Sequence, residues 1–140
     1  MEPAKRVLVV DDDVNHASTI ADILGSIGLD VDVANSGPDA LGLARIKRYD
    51  YALLDIRMPG MNGVELLERM RRERCDPPET IMMTAYSQND LTRAARHEGA
   101  AAVLEKPLDL PFLIKYFSGE ITLDQGFARA ANSGGIDALK

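Results

Sequence analysis

Short apolar runs recur along the chain and alternate with longer segments of mixed polarity. Five of these runs suit strands: RVLVV (6–10), VDVA (31–34), YALL (51–54), TIMMT (80–84) and AAVLE (101–105). Because the runs are almost continuously apolar, they are typical of strands that are covered on both faces. The pattern therefore predicts five short, buried strands.

Helical spacing occupies the intervals between these runs. Ile20, Ile23, Leu24 and Ile27 fall at i, i+3, i+4 and i+7, and Gly28 follows as a helix terminator. Similar stripes occur in three later segments: around Leu66, Leu67 and Met70, in SQNDLTRAARHEGA (87–100) and in LPFLIKYF (110–117). Strands and helices in strict alternation predict an α/β fold, a doubly wound five-stranded parallel sheet with five helices on both faces.

The pattern is lost in the last part of the chain. Residues 119–140, GEITLDQGFARAANSGGIDALK, contain four glycines and no clear periodicity. A chain of 140 residues suits one domain. We therefore interpret residues 1–118 as the folded domain and residues 119–140 as a C-terminal tail or the start of a linker.

Composition narrows the class of protein. A formal net charge of −6 argues against direct binding of nucleic acid or of an anionic membrane. The single cysteine, Cys75, cannot form an internal disulfide, which favours a reducing compartment. No apolar stretch approaches the roughly 18 residues of a membrane span, and MEPAKR (1–6) leads into a strand instead of a signal-peptide segment. The sequence predicts a cytoplasmic protein.

Acidic residues stand where two predicted strands end. The first strand is followed by Asp11, Asp12 and Asp13, and the third by Asp55. Ligands of doubly wound sheets bind outside the carboxyl ends of the strands, so these positions are candidates for chemistry. A single acid after a strand is commonly a helix N-cap, and we expect this role for Asp13.

Taken together, the strand-end residues predict a metal site. If one edge of the sheet collects Asp11, Asp12 and Asp55 with only Lys106 beside them, three negative charges and one positive charge leave −2. Crowded carboxylates repel one another unless a cation intervenes. Mg²⁺ prefers carboxylate oxygens, waters and phosphate oxygens, and Mn²⁺ can substitute for it. The cluster therefore suits Mg²⁺ together with a phosphoryl group.

Four motifs extend this hypothesis to a known family. The segments VLVVDDD (7–13), LLDIRMPGMNG (53–63), MMTAY (82–86) and LEKPLD (104–109), in this order, closely resemble the receiver domain of two-component response regulators. The resemblance covers about residues 4–118. It implies a flavodoxin-like sheet of strand order 2-1-3-4-5.

The resemblance assigns roles to individual residues. It implies that Asp55 is the phosphoacceptor and that Asp11, Asp12, Asp55 and the backbone carbonyl of Arg57 bind Mg²⁺. It also implies that Thr84 binds a phosphoryl oxygen through its hydroxyl. Lys106 would be the site's cation, presented by a cis Lys106–Pro107 peptide.

The resemblance also implies a function. The domain would take a phosphoryl group from a phosphohistidine of a sensor histidine kinase or phosphotransfer protein, and would then change conformation to control a partner or output domain. It would not be an enzyme, although it would assist its own phosphorylation and dephosphorylation. In this family an aromatic residue usually stands three positions before the lysine, where this chain has Val103. Since valine has no ring to rotate, we predict a weaker switch centred on Thr84 and Tyr86.

His16 is a further candidate, because it follows Asp12 by four residues. Mg²⁺ chemistry that uses oxygen ligands has no need of an imidazole. We therefore favour an exposed contact with the kinase over a ligand role for His16.

Two other interpretations stay open. VVDDDV (9–14) also fits the start of haloacid-dehalogenase-type phosphatases, with Asp11 as nucleophile and Asp13 as general acid, but no acidic pair follows Lys106 to complete that site. Alternatively, the chain is a receiver-like interaction module that is never phosphorylated and that uses its fourth-helix face. Val103 supports this second alternative, whereas the complete Asp, Thr and Lys set argues against it.

Overall fold

The computed structural model describes residues 3–74, 76–85, 90–121 and 136–137. The elements in chain order are β1 (Arg6–Val10), α1 (Val14–Ser26), β2 (Asp30–Ala34), α2 (Gly37–Ile46), β3 (Tyr51–Asp55), α3 (Gly63–Glu73), β4 (Glu79–Thr84), α4 (Asp90–His97), β5 (Ala102–Glu105), α5 (Leu110–Phe117) and β6 (Ile136–Asp137). None of the helices in these ranges is long and apolar enough to cross a bilayer.

One sheet contains all of these strands, in the order β2-β1-β3-β4-β5-β6. The first five are parallel, which confirms the predicted strand order 2-1-3-4-5 with five helices. Val10 is in register with Leu54, and Asp55 is in register with Met83. The carboxyl ends of β1, β3 and β4 therefore lie side by side.

The sixth strand was not predicted. Ile136 and Asp137 pair in antiparallel fashion with Leu104 and Val103 on the outer edge of β5. The sequence pattern predicts a tail or linker in this part of the chain, most of which (122–135 and 138–140) lies outside the described residues.

The core lies on both faces of the sheet, since alternate residues of a strand point to opposite sides. Leu8 and Val10 pack on one face with residues of α2 and α3, whereas Val7 and Val9 pack on the other face with residues of α1 and α5. The side chains of these four β1 residues are completely buried. This two-sided burial explains the continuous apolar run of β1. The prediction of a buried second strand is wrong, because β2 lies at the edge of the sheet and only its Ala34 is buried.

The helices that follow β1 and β3 begin with side-chain caps. Asp13 is the N-cap of α1, as expected, and its Oδ1 accepts the His16 backbone N–H at 3.1 Å. Asn62 and Glu65 form a reciprocal capping box at the start of α3. Both caps hold a helix start close to the strand end that precedes it.

The loop between β3 and α3 folds back tightly on the end of β3. Gly60 takes a positive φ of 75°, which lets the chain reverse direction. The Gly63 N–H donates to the Ile56 carbonyl at 2.8 Å, and a Cβ atom on Gly63 would lie 2.3 Å from the Asp55 carbonyl oxygen. A side chain at position 63 would therefore push α3 away from the strand that carries Asp55.

We expect Gly63→Ala to lower the free energy of unfolding by about 2 kcal/mol, because the added methyl overlaps backbone that cannot move aside. Gly42→Ala is the matched control, since a Cβ at this position in α2 meets nothing within 4 Å. That control should stabilise the protein by about 0.5–1 kcal/mol. Urea denaturation of both variants measures the difference, and equal effects would contradict the tight approach at Gly63.

Candidate functional site

Three carboxylates meet at the carboxyl edge of the sheet. Asp11 and Asp12 directly follow β1, and Asp55 is the last residue of the neighbouring strand β3. An oxygen from each of the three lies within 4.8 Å of the others. Asp11 and Asp55 are buried, whereas Asp12 is exposed. The acidic cluster, defined as Asp11, Asp12 and Asp55, is thus embedded in the sheet and open to solvent on one side.

Lys106 supplies a positive charge to the acidic cluster. Its Nζ lies 3.2 Å from Asp11 Oδ2 and 3.3 Å from Asp55 Oδ2. The Lys106 N–H donates to the Thr84 carbonyl at 2.8 Å, which ties the start of the β5–α5 loop to the end of β4. The Lys106–Pro107 peptide is cis, as the resemblance implied. With this one ammonium group, the four side chains carry the net charge of −2 that the sequence predicted.

The pKa values of the two buried acids, Asp11 and Asp55, are shifted in opposite directions. Burial, reinforced by the neighbouring Asp11, raises the pKa of Asp55 to about 6, although Lys106 acts in the opposite direction. Burial also disfavours ionised Asp11, but hydrogen bonds from His16 and the Asp13 backbone outweigh it and lower the pKa of Asp11. Without a cation, therefore, Asp11 stays ionised to lower pH than Asp55, which takes up a proton as the pH falls through about 6.

His16 lies against Asp11. Its Nδ1 is 2.5 Å from Asp11 Oδ2, and its side chain is only 27% exposed. His16 is therefore partly buried and not exposed as expected, while a contact with the kinase stays a prediction. Since Asp13 is the N-cap, His16 is the third helical residue, a position from which side chains reach back towards the start of a helix. This cap position was the sequence signal for the contact.

Two of the remaining predicted residues, Thr84 and Arg57, lie beside the end of β3. Thr84 is the last residue of β4, beside β3, and it is completely buried. The Arg57 N–H donates to Asp55 Oδ1 at 3.3 Å, so the β3–α3 loop begins against the acid. Val103 is also completely buried, in register with Met82 in the middle of β5. Tyr86 lies outside the described residues.

Strand order and site together define the class of protein, a flavodoxin-like α/β domain with an acidic site at the carboxyl edge of its sheet. The response regulator receiver domain family matches residues 7–118. The chain belongs to this family, which confirms the resemblance seen in its four motifs. Membership also favours the receiver interpretation over the haloacid-dehalogenase alternative, whose proposed general acid, Asp13, caps α1.

Relatives of known sequence agree with this assignment. The chain is 43% identical over 111 residues to a response regulator receiver protein of Anaeromyxobacter sp. (strain Fw109-5), covering 79% of this chain and 46% of that protein. It is 38% identical over 122 residues to the transcriptional regulatory protein ZraR of Klebsiella oxytoca, covering 87% of this chain and 26% of that protein. The chain thus spans about half or less of the length of these relatives.

Solved structures agree as well. A CheY-like response regulator receiver domain protein from Methanospirillum hungatei JF-1 superposes with a TM-score of 0.77 at 30% identity, covering 90% of this chain and 98% of that one. The Vibrio cholerae chemotaxis protein CheY4 gives a TM-score of 0.72 at 29% identity, covering 80% and 94%. The chain therefore shares the fold of these receiver domains.

The raised pKa of Asp55 predicts how the stability of the metal-free protein depends on pH. A carboxyl group with a higher pKa in the folded state than in the unfolded state binds its proton more tightly when folded. Stability from this group is therefore complete below about pH 4 and is lost as the pH rises through about 6.

We therefore expect Asp55→Asn to raise the free energy of unfolding by about 2–3 kcal/mol at pH 8 and to change it little near pH 4. The amide resembles the protonated acid but cannot ionise, so the low-pH comparison is an internal control. Urea denaturation in the presence of a chelator provides the measurement. A stabilisation of equal size at both pH values would contradict the raised pKa.

Proposed function

We propose that this receiver domain accepts a phosphoryl group on Asp55, in a Mg²⁺-dependent reaction, from the phosphohistidine of a sensor histidine kinase or phosphotransfer protein. The observation that carries the proposal is the position of Asp55, buried at a strand end beside Asp11 and Asp12, with Lys106 Nζ 3.3 Å away. In this proposal the domain is a signalling module rather than an enzyme. Phosphorylation changes its surface and so controls a partner or an output domain.

The donor set at the acidic cluster fits a hard divalent cation. The three clustered groups offer only oxygen, and with Lys106 they retain a net charge of −2. Burial, reinforced by the neighbouring Asp11, raises the pKa of Asp55, and a bound cation would favour its ionised form. Asp11, Asp12, Asp55 and the Arg57 carbonyl would hold Mg²⁺ or Mn²⁺. The bound ion would supply charge neutralisation between the attacking carboxylate and the phosphoryl oxygens.

Residues of this chain perform the proposed phosphoryl transfer. An ionised Asp55 oxygen forms a bond to phosphorus as the bond from phosphorus to the donor imidazole nitrogen breaks. Lys106, already in contact with Asp55 Oδ2, offsets charge on a phosphoryl oxygen. The hydroxyl of Thr84, at the end of the neighbouring strand, donates to another phosphoryl oxygen. Because β3 is rigid and buried, Asp55 is positioned before the donor arrives.

The same contacts couple phosphorylation to the surface of the domain. In this proposal the Thr84 hydroxyl moves towards the phosphoryl group, and Tyr86, which lies outside the described residues, is the residue predicted to respond. Val103 is fully buried and has no ring that could take up two positions. The switch therefore loses one source of differential binding between its two states, and we expect a coupling free energy of about 1 kcal/mol.

Phosphorylation itself is directly testable. After treatment with acetyl phosphate and Mg²⁺, intact-mass analysis should show one added phosphoryl group per chain, on Asp55. Asp55→Asn should show none, because an amide is not a nucleophile for this transfer. Omission of divalent cations should also abolish the product.

Two outcomes would contradict the proposal. Label on Asp11, with repeated release of phosphate from phosphomonoesters, would instead support the phosphatase alternative. No added mass under any donor, with the protein still folded, would support an interaction module that is never phosphorylated.

The second test concerns the switch. Beryllofluoride with Mg²⁺ imitates a phosphoryl group, and we expect it to shift amide NMR signals at Thr84 and in the segment that follows, with β5 nearly unchanged. Thr84→Val keeps the shape of the side chain and removes the hydroxyl, so it should suppress these shifts. Large changes throughout β5 that persist in Thr84→Val would show that the switch runs through another route.

A further inference from the structure

We propose that His16 is a positioning residue for the acidic cluster: it holds the Asp11 carboxylate in the orientation that the divalent cation requires. The inference rests on the proposed function, because it concerns the same metal site. It also goes beyond that function, which gives His16 no role. His16 belongs to helix α1 and offers nitrogen where the other groups offer oxygen. The supporting observation is the 2.5 Å approach of His16 Nδ1 to Asp11 Oδ2.

The chemistry of the two groups assigns the proton. Asp11 is completely buried, and its contacts with the ammonium group of Lys106 and with the Asp13 N–H favour its ionised form. An ionised carboxylate can only accept hydrogen bonds, so His16 Nδ1 must carry the hydrogen and donate it. A hydrogen bond to a charged acceptor is shorter and stronger than a neutral one.

The start of α1 holds the imidazole in place. The backbone N–H of His16 donates to Asp13 Oδ1 at 3.1 Å, and the Asp13 N–H in turn donates to Asp11 Oδ1 at 3.0 Å. These two bonds connect the helix start to the same carboxylate that the ring contacts. The ring is also partly buried, which limits its alternative positions.

Asp11 is consequently almost saturated with donors. A carboxylate has about four acceptor positions. The Asp13 N–H occupies one on Oδ1, while His16 and Lys106 occupy two on Oδ2. One position on Oδ1 is left for the cation. Without His16, only Lys106 would restrain Oδ2, and the carboxylate could rotate away from the geometry that the ion needs.

His16 acts through Asp11 and not as a direct ligand. The group of mutually close ligand atoms consists of the three carboxylates and does not include a His16 nitrogen. Residues that orient a metal ligand by a hydrogen bond commonly change metal affinity about ten- to hundredfold when they are replaced. This is the magnitude that we expect for His16.

The experiment measures Mn²⁺ binding from the loss of the free-ion EPR signal, with Mg²⁺ affinity obtained by competition. His16→Leu removes the donor and should weaken binding of both ions about tenfold or more. His16→Asn can place an amide N–H near the position of Nδ1, and it should stay within about threefold of the unaltered chain. His97→Leu is the matched control, because His97 is exposed in α4, and it should leave binding unchanged.

A second measurement needs no substitution. In ¹⁵N NMR spectra of the metal-free protein, His16 Nδ1 should carry a slowly exchanging proton. A His16 ring protonated only on Nε2 would overturn the inference, as would metal affinity that is unchanged or tighter in His16→Leu. Absence of Mn²⁺ binding by the unaltered chain would overturn the proposed function and this inference with it, so the two failures are distinguishable.

Discussion

A parallel sheet brings several carboxylates to one edge of this domain, where they repel one another. The other features of the site follow from this repulsion. Asp11 and Asp55 end adjacent strands, both are buried, and Lys106 is the cation in contact with them among the described residues. A folded protein tolerates such a cluster only where the surrounding structure is rigid. The two apolar cores, one on each face of the sheet, provide that rigid structure.

The surrounding groups distribute this repulsion unequally between the two buried acids. Asp11 receives the donors, from the Asp13 backbone, His16 and Lys106, whereas Asp55 shares Lys106 and accepts a weak bond from the Arg57 N–H. Asp11 is therefore stabilised as an anion, and the pKa of Asp55 is raised to about 6. The ionised form of Asp55 is disfavoured without a cation, and a bound cation would favour it. Such a carboxylate suits the phosphoacceptor role that we propose. The instability at Asp55 thus serves the proposed function.

Thr84 and Val103, the residues that we connect with the switch, have different surroundings from the acidic cluster. Thr84 is a buried polar group at the end of β4, whereas Val103 is part of the apolar core, and β6 pairs with the outer edge of β5. A strand packed on its faces and paired on both edges has little freedom to move. These features are consistent with the proposed switch, in which β5 stays nearly unchanged. The chain spans about half or less of its matched relatives, so what the switch controls in the whole protein belongs to the proposal.

Local patterns in the amino-acid sequence are enough to predict most of the elements, their order and the acids that meet at one edge of the sheet. Buried strands produce continuous apolar runs, and parallel strands align their carboxyl ends, so local patterns were sufficient for the five strands and for Asp11, Asp12 and Asp55. Three features arise only from the folded arrangement: the His16–Asp11 contact, the unequal pKa values of the two buried acids and the pairing of β6 with β5. These features depend on the direction of individual side chains and on distances of a few ångströms between distant parts of the chain. Periodicity in a sequence reports which face of an element is buried, and it does not report those distances.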